Sequence, residues 1–279
     1  MKIKAIKVIT GYWRPGTDYL GEIVSKVSPI VRDGDLVTIS EKAIATSKGL
    51  IIDESRVYAS SLAKFLAKYW MRMIWGGPLG YLTRLKAMTK SRLRNYPIEV
   101  GALHKQTALR RVGLLQSLRH YSEGGIDASN LPFYYVSLPL PNPDVEADKI
   151  RQILEKCSKK KLTVMIVDGD TTYSWRNLHL APRKVNLPGL IHFGGFLTFV
   201  IGRMLNLKSH ATPIAVSGSR CNPDWSLTLA EIAHKVRGDG AGRTVWDMVE
   251  KFQAPLESIT WEMLERVEHS AIVILRFSS

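Results

Sequence analysis

The sequence predicts a mixed α/β (α+β) fold, with mixed sheets and flanking helices. Short apolar runs of strand length alternate with helical segments along the whole chain, and no linker separates the two kinds. The runs FYYVS (133–137) and LTVMIVD (162–168) flank a helical stretch, and this β–α–β order predicts that part of the sheet is parallel. With 279 residues, we expect a single domain over 1–279, built as two closely packed, intertwined lobes.

The N-terminal half begins with a strand at 2–9 and a helix entered near Thr17 or Asp18, after a Pro-Gly turn. A second strand ends at Ser40, Glu41 and Lys42, and GLIID is a third, short strand. A basic helix is expected from about 97 to 118.

The segment 59–75 is predicted to be a helix with one apolar face and one basic face. The apolar face would contain Leu62, Leu66, Tyr69, Trp70, Met73 and Ile74, and the basic face Lys64, Lys68 and Arg72. This pattern is typical of a core or subunit-interface helix with a basic rim, and also of a helix that lies in a membrane interface.

The C-terminal half continues the mixture. A helix is expected from Asp144 to Cys157, and the stretch after Trp175 gives no clear pattern. TPIAVSG and AIVILRF predict strands, and LTLAEIAHKV, TVWDMVEKF and ITWEMLERV predict helices.

The chain is strongly basic, with a formal net charge of +14. Twelve Lys and Arg lie between Lys64 and Arg119, where Glu99 is the only acid, so this segment alone supplies +11. Such a field attracts phosphate-bearing partners, which include nucleotides, nucleic acid and anionic membranes. Charge alone does not choose among them.

Several classes of protein are not favoured. The start MKIKAIKVIT reads as a strand and the longest apolar run, 190–205, is short for a bilayer span, so we expect a cytoplasmic protein with no transmembrane segment. Cys157 and Cys221 form no disulfide framework or metal spacing and are interpreted as ordinary thiols. Neither common phosphate-binding glycine motif is present.

Two acidic stretches are candidates for chemistry. MIVDGDTTYSW is an apolar strand that we expect to end in DGDTT, where carboxylates and hydroxyls offer the oxygen ligands that Mg²⁺ and Mn²⁺ prefer. GGIDASN (124–130) places Asp127 in a glycine turn directly before a strand. Both stretches also have a plain interpretation as turns and helix caps.

The second stretch resembles the hallmark of the coenzyme F-420 gamma-glutamyl ligase family. GGIDASN followed by LPLPNPDVEADKIRQIL (138–154) is similar to that family's AGID-x-SN and LP-x-x-PD-x-x-A-x-x-IR patterns. RPGTDYL, DLVTISEKAIATSKG, VMIVDGDTTYSWR, TPIAV and RGDG resemble further family segments in the same order. The stretch 176–205 is unlike the family.

The resemblance implies a ligase that joins L-glutamate to a phosphate-bearing acid, the deazaflavin precursor of coenzyme F-420, with GTP as co-substrate and a divalent metal, magnesium or manganese. It implies catalytic roles for Asp127 and Asp170, and a metal held by these two residues and Thr171. The nucleotide-binding positions that it implies are Arg14, Ser40, Lys42, Asn130, Gly238, Asp239 and Gly240. It also implies a homodimer, and it gives the basic segment the task of offsetting phosphate charge.

Three alternatives stay open at this point. One is a divergent paralogue that ligates another acid. Another is a non-catalytic basic protein that binds nucleotides or nucleic acid, although no nucleic-acid-binding motif is present and nucleic acid is not the expected partner. The last is a membrane-peripheral protein that uses the helix at 59–75.

Overall fold

A seven-stranded mixed sheet forms the centre of the computed structural model, which describes residues 2–219 and 222–278. The described strands are β1 (Lys2–Thr10), β2 (Leu36–Ser40), β3 (Ile51–Asp53), β4 (Tyr135–Ser137), β5 (Thr163–Trp175), β6 (Leu178–Ala181), β7 (Leu190–His192), β8 (Lys208–Ser217) and β9 (His269–Ser278). The strand order in the large sheet is β1-β9-β2-β5-β6-β7, and β8 pairs with β5 outside this path. A separate two-stranded sheet joins β3 and β4.

Helices flank this sheet and form a second region beside it. The α-helices are α1 (Tyr19–Val27), α2 (Glu41–Ser47), α3 (Ser61–Phe65), α4 (Pro78–Leu82), α5 (Ala87–Arg94), α6 (Ile98–Arg111), α7 (Leu114–Ser117), α8 (Pro143–Ser158), α9 (Phe196–Met204), α10 (Pro223–Arg237), α11 (Val245–Phe252) and α12 (Trp261–Glu265). A π-helix (Leu66–Trp75) continues α3, and short 3₁₀ turns lie at Glu54–Arg56 and Leu256–Ser258. The mixed α/β class with flanking helices is therefore confirmed.

The central strands are buried on both faces, which explains their unbroken apolar sequence. On one face Val164 and Ile166 of β5 pack with α1 and α8 through side chains such as Ile23 and Ile150. On the other face Met165 and Val167 pack against α10. The alternation of β5 thus fixes both layers of the core.

Two predictions about strands need correction. LTVMIVD does not end at DGDTT, because β5 continues to Trp175 with a register shift between Asp168 and Thr171. Gly169 and Asp170 form this irregularity, opposite a partner strand that runs directly from Thr212 to Ala211. The expected β–α–β unit is also wrong, since β4 pairs with β3 in the small sheet; the parallel partner of β5 is β2.

The helix predicted at 59–75 is present, but its faces differ from the prediction. Ten residues form a π-helix, whose wider turn places side chains four positions apart in one row. The buried row is Ala63, Ala67, Met71 and Trp75, with Leu66 beside it. Leu62, Tyr69 and Met73, which were expected on the apolar inner face, are exposed.

No described helix is both long enough and apolar enough to cross a bilayer. Cys157 is a free, exposed thiol, and Cys221 lies outside the described residues. The predicted basic helix at 97–118 is interrupted, because α6 ends at Arg111. Gly113, which has φ of 84°, separates α6 from α7.

Candidate active site

A cleft opens at the edge of the sheet where the parallel strands β2 and β5 end. The register pairs Ser40 with Val167, so the residues that follow these two positions emerge at the same edge. Ser40 and Lys42 line the cleft from the β2 side, and Asp168, Gly169 and Asp170 from the β5 side. The irregularity in β5 is what turns this run of the strand into a cleft wall.

Asp127 enters the same cleft from the glycine turn. Its Oδ1 accepts a 2.7 Å hydrogen bond from the backbone N–H of Ser129, and its Oδ2 forms an ion pair with Nζ of Lys42. Lys42 Nζ also donates to Oγ of Ser129 at 2.7 Å. Gly125 has φ of 92°, and a Cβ there would lie 2.6 Å from the Arg183 guanidinium, so the turn requires glycine. The glycine turn and the contacts with Ser129 and Lys42 therefore orient the Asp127 side chain.

Asn130 joins this turn to the loop that follows α10. Its Oδ1 accepts from the N–H of Ala241 at 2.6 Å, and its Nδ2 donates to the carbonyls of Gly242 and Asp239 at 2.8 and 3.2 Å. A Cβ at Gly240 would lie 2.6 Å from Asn130 Oδ1. The amide of Asn130 is therefore engaged with the loop, which lines the cleft through Gly238, Asp239 and Gly240.

Asp170 is the buried carboxylate of the cleft, with 3% of its surface exposed. Arg119 Nη1 lies 3.0 Å from both carboxylate oxygens, but only Oδ2 meets hydrogen-bond geometry, so Oδ1 is buried without a donor. Burial raises the pKa of Asp170 to about 7; Arg119 opposes this rise and neighbouring Asp168 adds to it. Oδ1 therefore has an ion-pair partner but no hydrogen-bond donor, and it can accept a further contact.

A buried ion-pair cluster supports the floor of the cleft. Arg183 donates from Nη1 and Nη2 to the two oxygens of Glu41, at 2.5 and 2.9 Å, and from Nη1 to Asp168 at 2.5 Å. Burial raises the pKa of Glu41, whereas the guanidinium of Arg183 outweighs burial at Asp168 and lowers its pKa. The cluster ties α2 to β5 behind Asp170.

Most of the predicted site residues lie together, but two do not. Ser40, Lys42, Asp127, Asn130, Asp170 and Gly238 to Gly240 all line one cleft. Arg14 is outside the lining and pairs with Glu265 at 3.1 Å. Thr171 is also outside it, paired with Ala211 in the β5–β8 ladder.

The basic segment was expected to offset phosphate charge in the site, but the structure places its cations outside the cleft lining. Among the described residues that line the cleft, none of the twelve Lys and Arg from Lys64 to Arg119 is present. Arg119 reaches Asp170 from behind, and the cations that face the cleft are Lys42, Arg237 and Arg243. The excess charge therefore lies elsewhere on the molecule.

The carboxylates of the cleft are compatible with the expected divalent metal. No group of three or more His, Cys, Asp or Glu side chains among residues 2–219 and 222–278 is arranged as a ready metal cluster. However, Asp127 and Asp170 supply hard oxygen donors in one cleft, and the unpaired Oδ1 of Asp170 is an oxygen that a cation would satisfy.

A second, more apolar pocket adjoins the cleft and shares Ser122, Ile126, Asp127, Ser129 and Arg243 with it. Two buried polar atoms of its lining residues, Nδ1 of His120 and the hydroxyl of Tyr121, have no hydrogen-bond partner. Its walls carry the aromatic side chains of Tyr96, Tyr121, Phe133, Tyr134, Tyr135 and Trp246.

Arg119, Arg183, Arg237 and His234 belong to the site and were not found in the sequence. Arg119 looked like any other cation of the basic segment, and Arg183 falls in the stretch that gave no pattern. Glu41 was visible beside Ser40 at the end of β2, but nothing in the sequence indicated its ion pair with Arg183.

Comparisons with known proteins agree with this geometry. The family model described as F420-0:Gamma-glutamyl ligase matches residues 7–182, a range that includes Lys42, Asp127 and Asp170. The "Uncharacterized protein MJ1361" of Methanocaldococcus jannaschii is 30% identical over 287 residues, which cover 98% of this chain and 96% of that protein. The chain therefore belongs to the F420-0:gamma-glutamyl ligase family.

Proposed function

We propose that this protein is a GTP- and divalent-metal-dependent ligase that forms an amide bond between L-glutamate and a phosphate-bearing carboxylic acid such as the deazaflavin precursor of coenzyme F-420. One observation carries the proposal. Asp127 and Asp170 are far apart in the chain, yet they line one cleft with Lys42 and the loop locked by Asn130. Family membership supports the reaction class, since the family is one of GTP-dependent ligases.

The reaction would proceed in two balanced steps. An oxygen of the acceptor carboxylate attacks the γ-phosphorus of GTP, the bond to the β-phosphate oxygen breaks, and GDP leaves. The amine of L-glutamate then attacks the acyl phosphate, and inorganic phosphate leaves as the amide forms and the nitrogen loses its proton. Both steps require that negative charge on phosphate oxygens be neutralised and held in place.

The chain's own cations would supply part of this neutralisation. Lys42, Arg237 and Arg243 line the cleft. Lys42 neutralises Asp127, and its ammonium can contact a phosphate oxygen once Asp127 has another cationic partner. The loop at 238–240 adds backbone N–H groups, held in place by the three hydrogen bonds of Asn130.

Asp127 and Asp170 would hold a divalent metal, which would supply positive charge to offset that of the phosphate groups. Thr171 stays a predicted third ligand, although it lies outside the cleft lining. The position of Asp170 beside Arg119 keeps this carboxylate fixed from behind while Oδ1 has no donor.

The adjoining apolar pocket supports an acceptor that carries a flat aromatic ring. Aromatic side chains form its walls, and it meets the cleft at Asp127, Ser129 and Arg243. A ring seated there would have its carboxylate near the proposed metal and γ-phosphate. The unpaired atoms of His120 and Tyr121 offer hydrogen bonds to polar atoms of the ring.

The experiment is a coupled assay followed by mass spectrometry. The protein receives GTP or ATP, magnesium or manganese, L-glutamate and the deazaflavin precursor. We expect a product heavier by one glutamyl unit that is lost in Asp127→Asn and retained in Glu257→Gln, a matched change at an exposed acid. Metal-dependent nucleotide binding without any glutamyl product would contradict the assigned acceptor and support the cleft as a metal–nucleotide site.

A second candidate within the same reaction class is ligation of a different acid. The match to the family ends at residue 182, and the floor of the cleft is completed by Arg183 from the next, unlike stretch. Replacing the deazaflavin precursor by a panel of carboxylic acids in the same assay would identify this case. A homodimer stays a prediction of the family resemblance, and sedimentation velocity would test it.

A further inference from the structure

The outer face of α3 and the π-helix is apolar where a surface helix is normally polar. Leu62, Phe65, Tyr69 and Met73 are 47%, 52%, 42% and 61% exposed. The last three are spaced four residues apart, so the π-helix aligns them in one row along its solvent side. The rings of Phe65 and Tyr69 contact each other at 5.5 Å between centroids. Four large apolar side chains thus form a continuous outward stripe rather than scattered exposures.

A row of cations runs beside this stripe. Lys64, Lys68 and Arg72 are also spaced four residues apart, each directly preceding one residue of the apolar row. Nζ of Lys68 lies 5.0 Å from the Tyr69 ring centroid, and Arg72 donates to the carbonyl of Tyr96 at 2.7 Å. None of the three forms an ion pair with an acid among the described residues, unlike Lys42, Arg119 and Arg183 at the cleft. The face therefore combines exposed apolar area with unbalanced positive charge.

Acids are few around this face: Glu99 lies in the first turn of α6, which packs against α3 and the π-helix, and Asp247 and Glu250 of α11 pair with Arg92 of α5. Residues 55–98, which include α3, the π-helix, α4 and α5, have no Asp or Glu, and neither do residues 171–223. The second segment packs on the first through α9, where the ring of Phe196 meets Trp70 edge-on at 5.9 Å. A region of two packed segments without a carboxylate favours a negatively charged partner over any other.

We propose that the outer face of α3 and the π-helix docks on an anionic lipid bilayer surface. Phe65, Tyr69, Met73 and Leu62 would enter the headgroup region, and Lys64 and Lys68 would contact lipid phosphates. A second copy of the chain fits less well, because a two-fold contact through this face would bring two rows of cations together without acids. Nucleic acid would use the lysines but leaves Leu62, Phe65 and Met73 without a partner.

The test is co-sedimentation of the full chain with vesicles that mix phosphatidylglycerol and phosphatidylcholine, compared with vesicles of phosphatidylcholine alone. We expect binding to the anionic vesicles that weakens as salt rises. Lys64→Gln with Lys68→Gln should lower the partition coefficient roughly 30-fold. Phe65→Gln with Met73→Gln should lower it at least about tenfold.

Matched controls are available outside this face. Lys26→Gln with Lys156→Gln removes the same charge from exposed helix positions, and Ile30→Gln with Val145→Gln removes exposed apolar side chains. Both control pairs should bind vesicles as the wild type does. Thermal unfolding of all four variants checks that each is folded, and the residues changed are exposed.

Three outcomes would overturn the proposal. The first is absence of binding to anionic vesicles at low salt. The second is a dimer in sedimentation velocity that Phe65→Gln with Met73→Gln dissociates, since a second copy would then cover the face. The third is binding to duplex DNA, lost in the lysine pair and kept in the apolar pair, without binding to vesicles.

Discussion

The cleft and the outer face of the helical region use positive charge in opposite ways. At the cleft and behind its wall, Lys42, Arg119 and Arg183 each pair with a carboxylate, and the Arg119–Asp170 and Arg183–Glu41 pairs are buried. On the outer face of α3 and the π-helix, Lys64 and Lys68 stand beside exposed apolar side chains in a segment without acids. The basic residues that give the net charge of +14 therefore include two groups with different surroundings, one paired with carboxylates and one not.

This difference separates two roles that could not be assigned to the basic residues from the sequence: holding carboxylates in position and binding a partner. The paired cations of the cleft position the carboxylates that we assign to metal and nucleotide. The unpaired cations contribute little to folding and are available to a partner. Substitutions that remove one charge in each region should therefore have very different effects.

The largest effect on stability is expected from Arg183→Met. It would leave Glu41 buried, and Asp168 partly buried, without their shared cation, at a cost of about 3–5 kcal/mol in the free energy of unfolding. Lys184→Met is the matched control, because the neighbouring side chain is exposed. Urea unfolding of both variants measures the difference, and equal stabilities would show that the cluster does not hold the floor of the cleft.

Asn130→Ala should weaken nucleotide binding about tenfold, since a loop that loses three hydrogen bonds is less ordered before binding. Asn130 has φ of 52°, so Asn130→Gly separates backbone strain from the lost side chain. We expect Asn130→Gly to unfold less easily than Asn130→Ala, but to bind nucleotide equally weakly in calorimetry. Full affinity in the glycine variant would assign the role of Asn130 to its backbone conformation.

His104 extends charge pairing into the interior of the helical region. Burial alone would lower its pKa, but the carboxylates of Glu54 and Glu123 outweigh burial and raise the pKa to about 10. A raised pKa contributes stability below the unfolded value near 6.5 that is lost as pH rises toward 10. Between these values the free energy of unfolding should fall by about 1 kcal/mol per pH unit relative to His104→Gln.

Lys105 pairs with the same Glu123, and burial lowers the pKa of Lys105. Lys105 is present in both proteins, so its contribution to the pH dependence of stability largely cancels in the difference between the wild type and His104→Gln. Unfolding curves at several pH values give that difference. Parallel pH profiles of the two proteins would contradict the assignment of a charged imidazole at position 104.

The smallest effect on stability is expected from Lys64→Gln with Lys68→Gln. Neither lysine has an acidic partner, so the free energy of unfolding should change by less than about 0.5 kcal/mol. Urea unfolding beside Arg183→Met completes the comparison. A loss of several kcal/mol would mean that these lysines have structural roles like those of the cleft cations.

The sequence predicted local features of the fold better than the partners of each element. Strands β1, β2, β8 and β9 and helices α1, α8 and α10 follow directly from apolar periodicity and caps, such as Asp18 before α1. The pairing of β4 with β3 and the continuation of β5 through Asp170 depend on contacts between distant segments, which periodicity does not encode. The exposed row of the π-helix depends on its wider turn, and no sequence pattern predicts a π-helix here.

For the candidate site, the division is similar. Asp127, Asp170 and Lys42 stand in motifs that could be recognised, and the structure brings them to one cleft. Arg119 and Arg183 could not be found, because a cation that pairs with a carboxylate 51 or 142 positions away leaves no local pattern. The family resemblance identified the motifs, but it did not identify Arg119 and Arg183, which hold the motif carboxylates in place.

We assign Asp127 and Asp170 to the proposed metal–nucleotide site. The most direct measurement is GTP binding by isothermal titration calorimetry, with and without magnesium, for the wild type, Asp127→Asn, Asp170→Asn and the exposed control Glu257→Gln. The account predicts binding that requires magnesium, weakens at least about tenfold in both aspartate variants and is unchanged in the control. Equal GTP affinity in all four proteins, or binding independent of magnesium, would contradict it.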